Sequence, residues 1–181
     1  LYDNGKQVLQ DYGAARYVNI EAKNGGHYLA ENDAWAKQTI AHNTLTVDET
    51  SHYEGKLKIA EKYAPTITSF VDKDDYKEVS ATEENASPGV KMDRTIIMVK
   101  PKGLSQPLII DVFKAISDKE HQYDLSYYFM GQLMSADYPY DAFTTSREPL
   151  GTANGYQYLW KEAAGKSKGS TAGITFLNNS K

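Results

Sequence analysis

Apolar and polar residues alternate with a period of two along most of the chain. Thr44-Leu45-Thr46-Val47 alternates, and so does Thr66-Ile67-Thr68-Ser69-Phe70-Val71. Successive side chains of a strand point to opposite faces, so this spacing predicts strands. From Val90 to Lys100, one face carries Val90, Met92, Arg94, Ile96 and Met98, and the other carries Lys91, Asp93, Thr95, Ile97 and Val99. That pattern predicts a strand turning from half-exposed to buried. Pro107 to Phe113 is apolar on both faces and predicts a central strand. His121–Met130, Tyr156–Trp160 and Ala172–Leu177 predict three more. The charged stretch Asp72–Glu84 predicts an exposed hairpin or edge, its strand centred on Val79. Asn24-Gly25-Gly26, Ser87-Pro88-Gly89, Lys102-Gly103 and Asn154-Gly155 punctuate the runs as turns, and Gly165–Gly173 predicts a mobile loop. Helical periodicity is confined to a turn or two within Glu31–Thr39. Seven or more short strands with turns between them give an all-β fold, an antiparallel β-sandwich spanning residues 1–181 as one domain.

Composition narrows the chemistry. The 181 residues carry 20 Lys+Arg against 24 Asp+Glu, a formal net charge of −4, which disfavours a nucleic-acid partner. No run approaches the roughly 18 apolar residues of a membrane helix, so no membrane partner is expected. The absence of cysteine removes disulfides, thiolate metal sites and thiol catalysis. Aromatic residues are mostly tyrosine, 14 Tyr against 5 Phe and 2 Trp, a set suited to half-wet surfaces where a ring packs and a hydroxyl finds a polar partner. The chain opens at Leu1 without a leader pattern, as expected of a mature chain or a piece of a longer one.

The four histidines are His27, His42, His52 and His121, with no HExxH and no i, i+4 pair. His42, in His42-Asn43-Thr44, has two readings: a histidine satisfied by a backbone carbonyl, or a group offered to an ion. His121 opens a predicted strand after Ser117-Asp118-Lys119-Glu120. Any metal site would need residues distant in sequence.

Asp11-Tyr12-Gly13-Ala14-Ala15-Arg16-Tyr17-Val18-Asn19-Ile20, the Trp35–Leu45 segment, Gly89-Val90-Lys91-Met92-Asp93-Arg94-Thr95, Ile110-Asp111-Val112-Phe113, His121-Gln122-Tyr123-Asp124-Leu125 and Gly155-Tyr156-Gln157-Tyr158-Leu159-Trp160 run in order along the chain. Together they resemble the heparinase II/III-like family, and within it the oligoalginate lyases of polysaccharide lyase family 17. The resemblance implies the C-terminal β-sandwich of a lyase whose N-terminal α/α toroid is absent here. The parent would degrade alginate oligosaccharides by β-elimination, with the sandwich walling the cleft and the main catalytic residues on the toroid. It also implies a structural zinc ion on His42, Asp75 and His121. Family members place a sandwich tyrosine before the Gly-Val strand, where this chain reads Asn85-Ala86-Ser87-Pro88-Gly89, so Tyr76 or Tyr63 stands as the substitute candidate. Localisation by the same analogy is periplasmic or secreted, and a homodimeric parent stays open. Two alternatives stand beside this: a glycosaminoglycan (heparin-type) lyase domain, which the short supply of arginine (Arg16, Arg94 and Arg147) disfavours, and a non-catalytic carbohydrate-binding sandwich using its tyrosines.

Overall fold

Short strands joined by tight turns dominate the computed structural model, which describes residues 2–3, 5–11, 30–131, 134–169 and 171–178. In chain order the strands are β1 (Tyr2–Asp3), β2 (Lys6–Gln7), β3 (Leu45–Val47), β4 (Thr66–Asp72), β5 (Tyr76–Ser87), β6 (Val90–Val99), β7 (Leu108–Ile116), β8 (Tyr123–Leu125), β9 (Asp141–Ala142), β10 (Trp160–Lys166) and β11 (Gly173–Asn178). Among the described residues all pairings are antiparallel, in four sheets ordered β1-β2, β3-β8, β11-β10-β9 and β4-β5-β6-β7. The fold class is therefore the all-β antiparallel architecture expected of a sandwich. Among the described residues helix is limited to short turns, including α1 (Leu57–Ala60) and turns at Asn32–Ala36 and Thr39–Ala41. No helix among the described residues is long and apolar enough to cross a membrane.

The chain divides into two compact units, one made of Leu1–Ser51 with Tyr123–Lys181 and the other of His52–Gln122. The first has a side-chain core of Trp35, Ala36, Ile40, Ala41, Tyr156 and Leu159, with Tyr128, Leu150 and Leu177 packed against it. Tyr156 is 1% exposed and Trp35 8%, and burying a large apolar side chain is worth about 1.5–3 kcal/mol. Trp35 meets Tyr128 and Tyr158 edge-on, at 6.2 and 6.3 Å between centroids. Gly155 makes this packing possible. Its φ is +91°, and a Cβ there would stand 2.7 Å from Ile40 Cγ2 and 3.3 Å from Trp35 Cε3. With Asn154 also at positive φ, the turn feeds a 3₁₀ turn at Tyr156–Tyr158. The expected Tyr156–Trp160 strand therefore begins only at Trp160, because Tyr156 and Leu159 enter the core at a spacing of three.

The second unit is a four-stranded meander. The register Phe70↔Val79↔Ile96↔Asp111 and Lys77↔Met98↔Ile109 places Phe70, Val79, Ile96, Met98 and Ile109 on one face. Arg94 and Asp111 share that face in a bidentate pair, Nε–Oδ1 3.0 Å and Nη2–Oδ2 2.6 Å, with the guanidinium 5.4 Å from the Phe113 ring centroid. Three sequence expectations change here. β6 runs from buried to half-exposed, with Val90 and Met92 buried and Ile96 in water. β7 is an edge strand with Leu108, Ile109, Ile110 and Val112 exposed, and not a central one. The charged stretch forms the expected hairpin, β4 to β5 with Asp72 opposite Lys77, but β5 is an interior strand paired on both sides and not an edge. Apolar content alone could not separate these positions, because aliphatic residues on both faces look the same whether a neighbour covers them or not.

Candidate functional site

The 3₁₀ turn Thr39–Ala41 ends at His42, whose extended backbone (φ −120°, ψ 161°) leads into β3. Its ring is held at both nitrogens. Nε2 lies 3.0 Å from the Ala36 carbonyl, and Nδ1 lies 3.1 and 3.2 Å from the two carboxylate oxygens of Asp11. Asn43 extends the clasp: its amide donates to the Gln10 carbonyl, and its Oδ1 accepts from the Tyr128 N–H at 2.6 Å. Tyr128 then donates to the Ile40 carbonyl at 2.6 Å, and burial pushes its phenol far up. His-Asn thus ties residues 9–11 to the segment after β8, with the bridge Leu9↔Phe129 and the Gln10 N–H to Tyr128 carbonyl bond at 2.9 Å completing the seam.

A second buried contact joins two sequence motifs. Tyr156 donates to Asp124 Oδ2 at 2.7 Å, and burial first, then Asp124, push its phenol well above the ordinary tyrosine range. Composition gave no hint of this pair, although both residues lie within the motifs His-Gln-Tyr-Asp-Leu and Gly-Tyr-Gln-Tyr-Leu-Trp.

Asp75 and His121 are not brought together. Asp75 sits in the β4–β5 turn beside Tyr76, which pairs with Val99 and through it with Leu108. His121 follows β7, whose last residue Ile116 pairs with Lys91 at the other end of the sheet. At about 3.3 Å per residue the two stand more than roughly 20 Å apart. His121 Nε2 is 3.0 Å from Ser117 Oγ. His42 belongs to the other unit. Among the described residues no three His, Asp or Glu are grouped to hold a metal ion. The spacing of motifs along the chain could not reveal this, since a meander sends alternate turns to opposite ends.

Tyr76 stands at the Val99 end of the sheet too, remote from the Ser87-Pro88-Gly89 turn it was to serve. Its hydroxyl donates to Glu78, and that bond raises the phenol while lowering Glu78. Tyr63, the other candidate, stacks on Tyr53, and Tyr53 is hydrogen-bonded to Glu83 on β5, four residues before Ser87. Tyr53 and Glu83 were not singled out from the sequence. The signal that could have drawn attention to them is the closeness of Tyr53 and Tyr63 around a short charged helical turn.

The family model described as Heparinase II/III-like, C-terminal matches residues 1–174. The chain belongs to this family. Two curated relatives extend the comparison. The chain is 47% identical over 160 residues to an exo-oligoalginate lyase of Saccharophagus degradans, covering 88% of this chain and 22% of that protein. It is 43% identical over 177 residues to an alginate lyase of Stenotrophomonas maltophilia, covering 98% of this chain and 24% of that protein. The chain therefore spans less than a quarter of the length of these relatives. Of the motifs that carry the likeness, Tyr12–Ile20 lies outside the described residues, as do His27 and the Asn24-Gly25-Gly26 turn.

Proposed function

We propose that this chain is the β-sandwich part of a polysaccharide lyase that degrades alginate oligosaccharides by β-elimination, walling one side of the cleft. The observation that carries this reading is identity of 43–47% to two alginate-cleaving relatives over nearly the whole chain. β-Elimination asks for three things: neutralisation of the uronate carboxylate, a base for the carbon-5 proton, and an acid for the departing glycosidic oxygen. The described residues that titrate abnormally do not form such a set. Tyr53, Tyr76, Tyr128 and Tyr156 are all shifted upward, which favours proton-holding phenols over bases. Tyr128 and Tyr156 are moreover locked into the first unit's interior by Ile40 and Asp124. By family likeness, the base and the carboxylate-neutralising groups belong to the remaining three-quarters of a protein built like the relatives, an α/α toroid. Zinc has no step in this reading, and elemental analysis of the purified chain, with His42→Ala as the comparison, tests whether the chain holds it. Export to the periplasm or beyond fits a polysaccharide substrate that cannot cross the inner membrane.

The test is ultraviolet absorbance of the unsaturated uronate product. The 181-residue chain alone should release none from alginate oligosaccharides, whereas the parent protein should release it readily. Product from the isolated chain overturns the partial-site reading. A parent that cleaves heparin-type oligosaccharides and leaves alginate intact overturns the substrate.

A further inference from the structure

Tyr53, Tyr63 and Glu83, all within His52–Gln122, form a cluster that no structural core explains. The two tyrosine rings lie parallel, 3° between planes and 6.0 Å between centroids. Tyr53 is hydrogen-bonded to Glu83, and His52 closes edge-on against it at 6.3 Å. The backbone beneath is strained. Tyr53 (φ 55°, ψ 29°) and Glu54 (φ 56°, ψ 27°) are consecutive left-handed residues without being glycine. Each such residue costs on the order of 1 kcal/mol, and strain of this kind concentrates at functional sites. Tyr63 is 44% exposed. A stack that served only to anchor the loop would gain most by burying its outer ring. Here the outer ring is left in water while the inner one is fixed from three sides.

We propose that Tyr63, backed by Tyr53 and Glu83, is a saccharide-contact platform that takes the C–H face of a pyranose ring. This rests on the polysaccharide reading above and names where on this chain the sugar touches. A pyranose presents axial C–H groups on one side and hydroxyls around its rim. The accessible surface of the Tyr63 ring supplies a polarisable partner for the C–H groups. The Tyr63 hydroxyl and the unused lone pairs of the Glu83 carboxylate supply acceptors for the rim hydroxyls. Glu83 repels a uronate carboxylate, so the sugar docks with its acid group turned away. Tyr53 is a positioning residue: its hydroxyl bond to Glu83 fixes the angle of the ring on which Tyr63 lies.

The experiment titrates the full 181-residue chain with two probes, an alginate tetrasaccharide and a neutral β-1,4-linked glucose tetrasaccharide, followed by amide NMR shifts. The alginate probe should perturb residues 52–63 and the neighbourhood of Glu83. Tyr63→Ala and Tyr63→Leu should each weaken binding about tenfold at unchanged melting temperature, and Tyr63→Trp should restore it. Tyr53→Phe, which keeps the stack and cuts the bond to Glu83, should weaken binding to a smaller degree. Unchanged affinity in both Tyr63→Ala and Tyr63→Leu overturns the platform while leaving the lyase reading intact. Shifts confined to other residues, or binding of neither probe, overturn it as well. Tyr63-dependent binding of the glucose probe alone keeps the platform and overturns alginate as the substrate.

Discussion

In the unit built from residues 1–51 and 123–181, stretches far apart in sequence bury one another's side chains. In the unit 52–122, neighbouring strands share a backbone ladder, and much of their apolar surface stays in water. The first unit has Trp35, Ile40, Tyr156 and Leu159 closed into one cluster and reinforced by specific hydrogen bonds: Tyr156 to Asp124, Tyr128 to Ile40, Asn43 to Gln10 and Tyr128, and Asn154 to the Glu49 carbonyl at 2.8 Å. The second has long registers from β4 to β7, with Phe70 74% and Ile67 66% exposed. The lesson is about where sensitivity lies. A close-packed interior punishes one methyl group, whereas a ladder with open faces is indifferent to most side-chain changes.

The largest effect that would break this comparison is Gly155→Ala. The added Cβ meets Ile40 and Gln38 at 2.7 and 3.1 Å while the backbone is held at φ +91°. A loss of about 3 kcal/mol is expected. Hydrogen exchange should locate it in the first unit and leave β5 and β6 amides protected. Equal loss of protection in both units would show that the division has no energetic meaning.

Next comes alkaline stability. Tyr128 and Tyr156 ionise in the unfolded chain near pH 10, but their folded-state values lie above it. Their contribution is therefore intact below about pH 10 and is lost as pH rises further, at about 1.4 kcal/mol per pH unit for each tyrosine. Denaturant midpoints followed by the fluorescence of Trp35 and Trp160 between pH 9 and 11 should fall at a rate that Tyr156→Phe halves. A flat profile would mean that water reaches both hydroxyls.

The smallest expected effect is on the sheet. Phe70→Thr should change stability by no more than about 0.5 kcal/mol and reduce self-association measured by light scattering. A loss above about 2 kcal/mol would show that this face is covered in solution, and the contrast between the units would fall.

The same contrast explains what was legible in the sequence. β4, β6, β7 and the turns at Gly89 and Gly103 follow alternation and turn chemistry, which are local properties. The hairpin into β5 was legible, but Lys77, Glu78, Glu83 and Glu84 masked that β5 is an interior strand. The core turn at Tyr156–Leu159 escaped because its conformation is imposed by Ile40 and Trp35, more than a hundred residues earlier. The site suffered most. His42 was singled out rightly as chemically notable, but its partner Asp11 could not be read from spacing. Asp75 and His121 were joined by likeness, and the meander separates them. Tyr63 was flagged for its nearness to the Gly-Val turn, yet the strained backbone at Tyr53 that holds it is invisible to composition.

In chain order the second unit lies between two halves of the first. β4 to β7 are linked by short connections and can pair as soon as each emerges during synthesis. Leu45 to Val47 must wait for Tyr123 to Leu125 before their ladder exists. A loop of some seventy residues would make that late closure entropically costly, but a meander that has already formed shortens the effective loop between them. Ribosomal order thus makes the inserted sheet a folding splint for the tighter unit. Slowing the formation of that sheet should delay the burial of Trp35 even though the two share no residue.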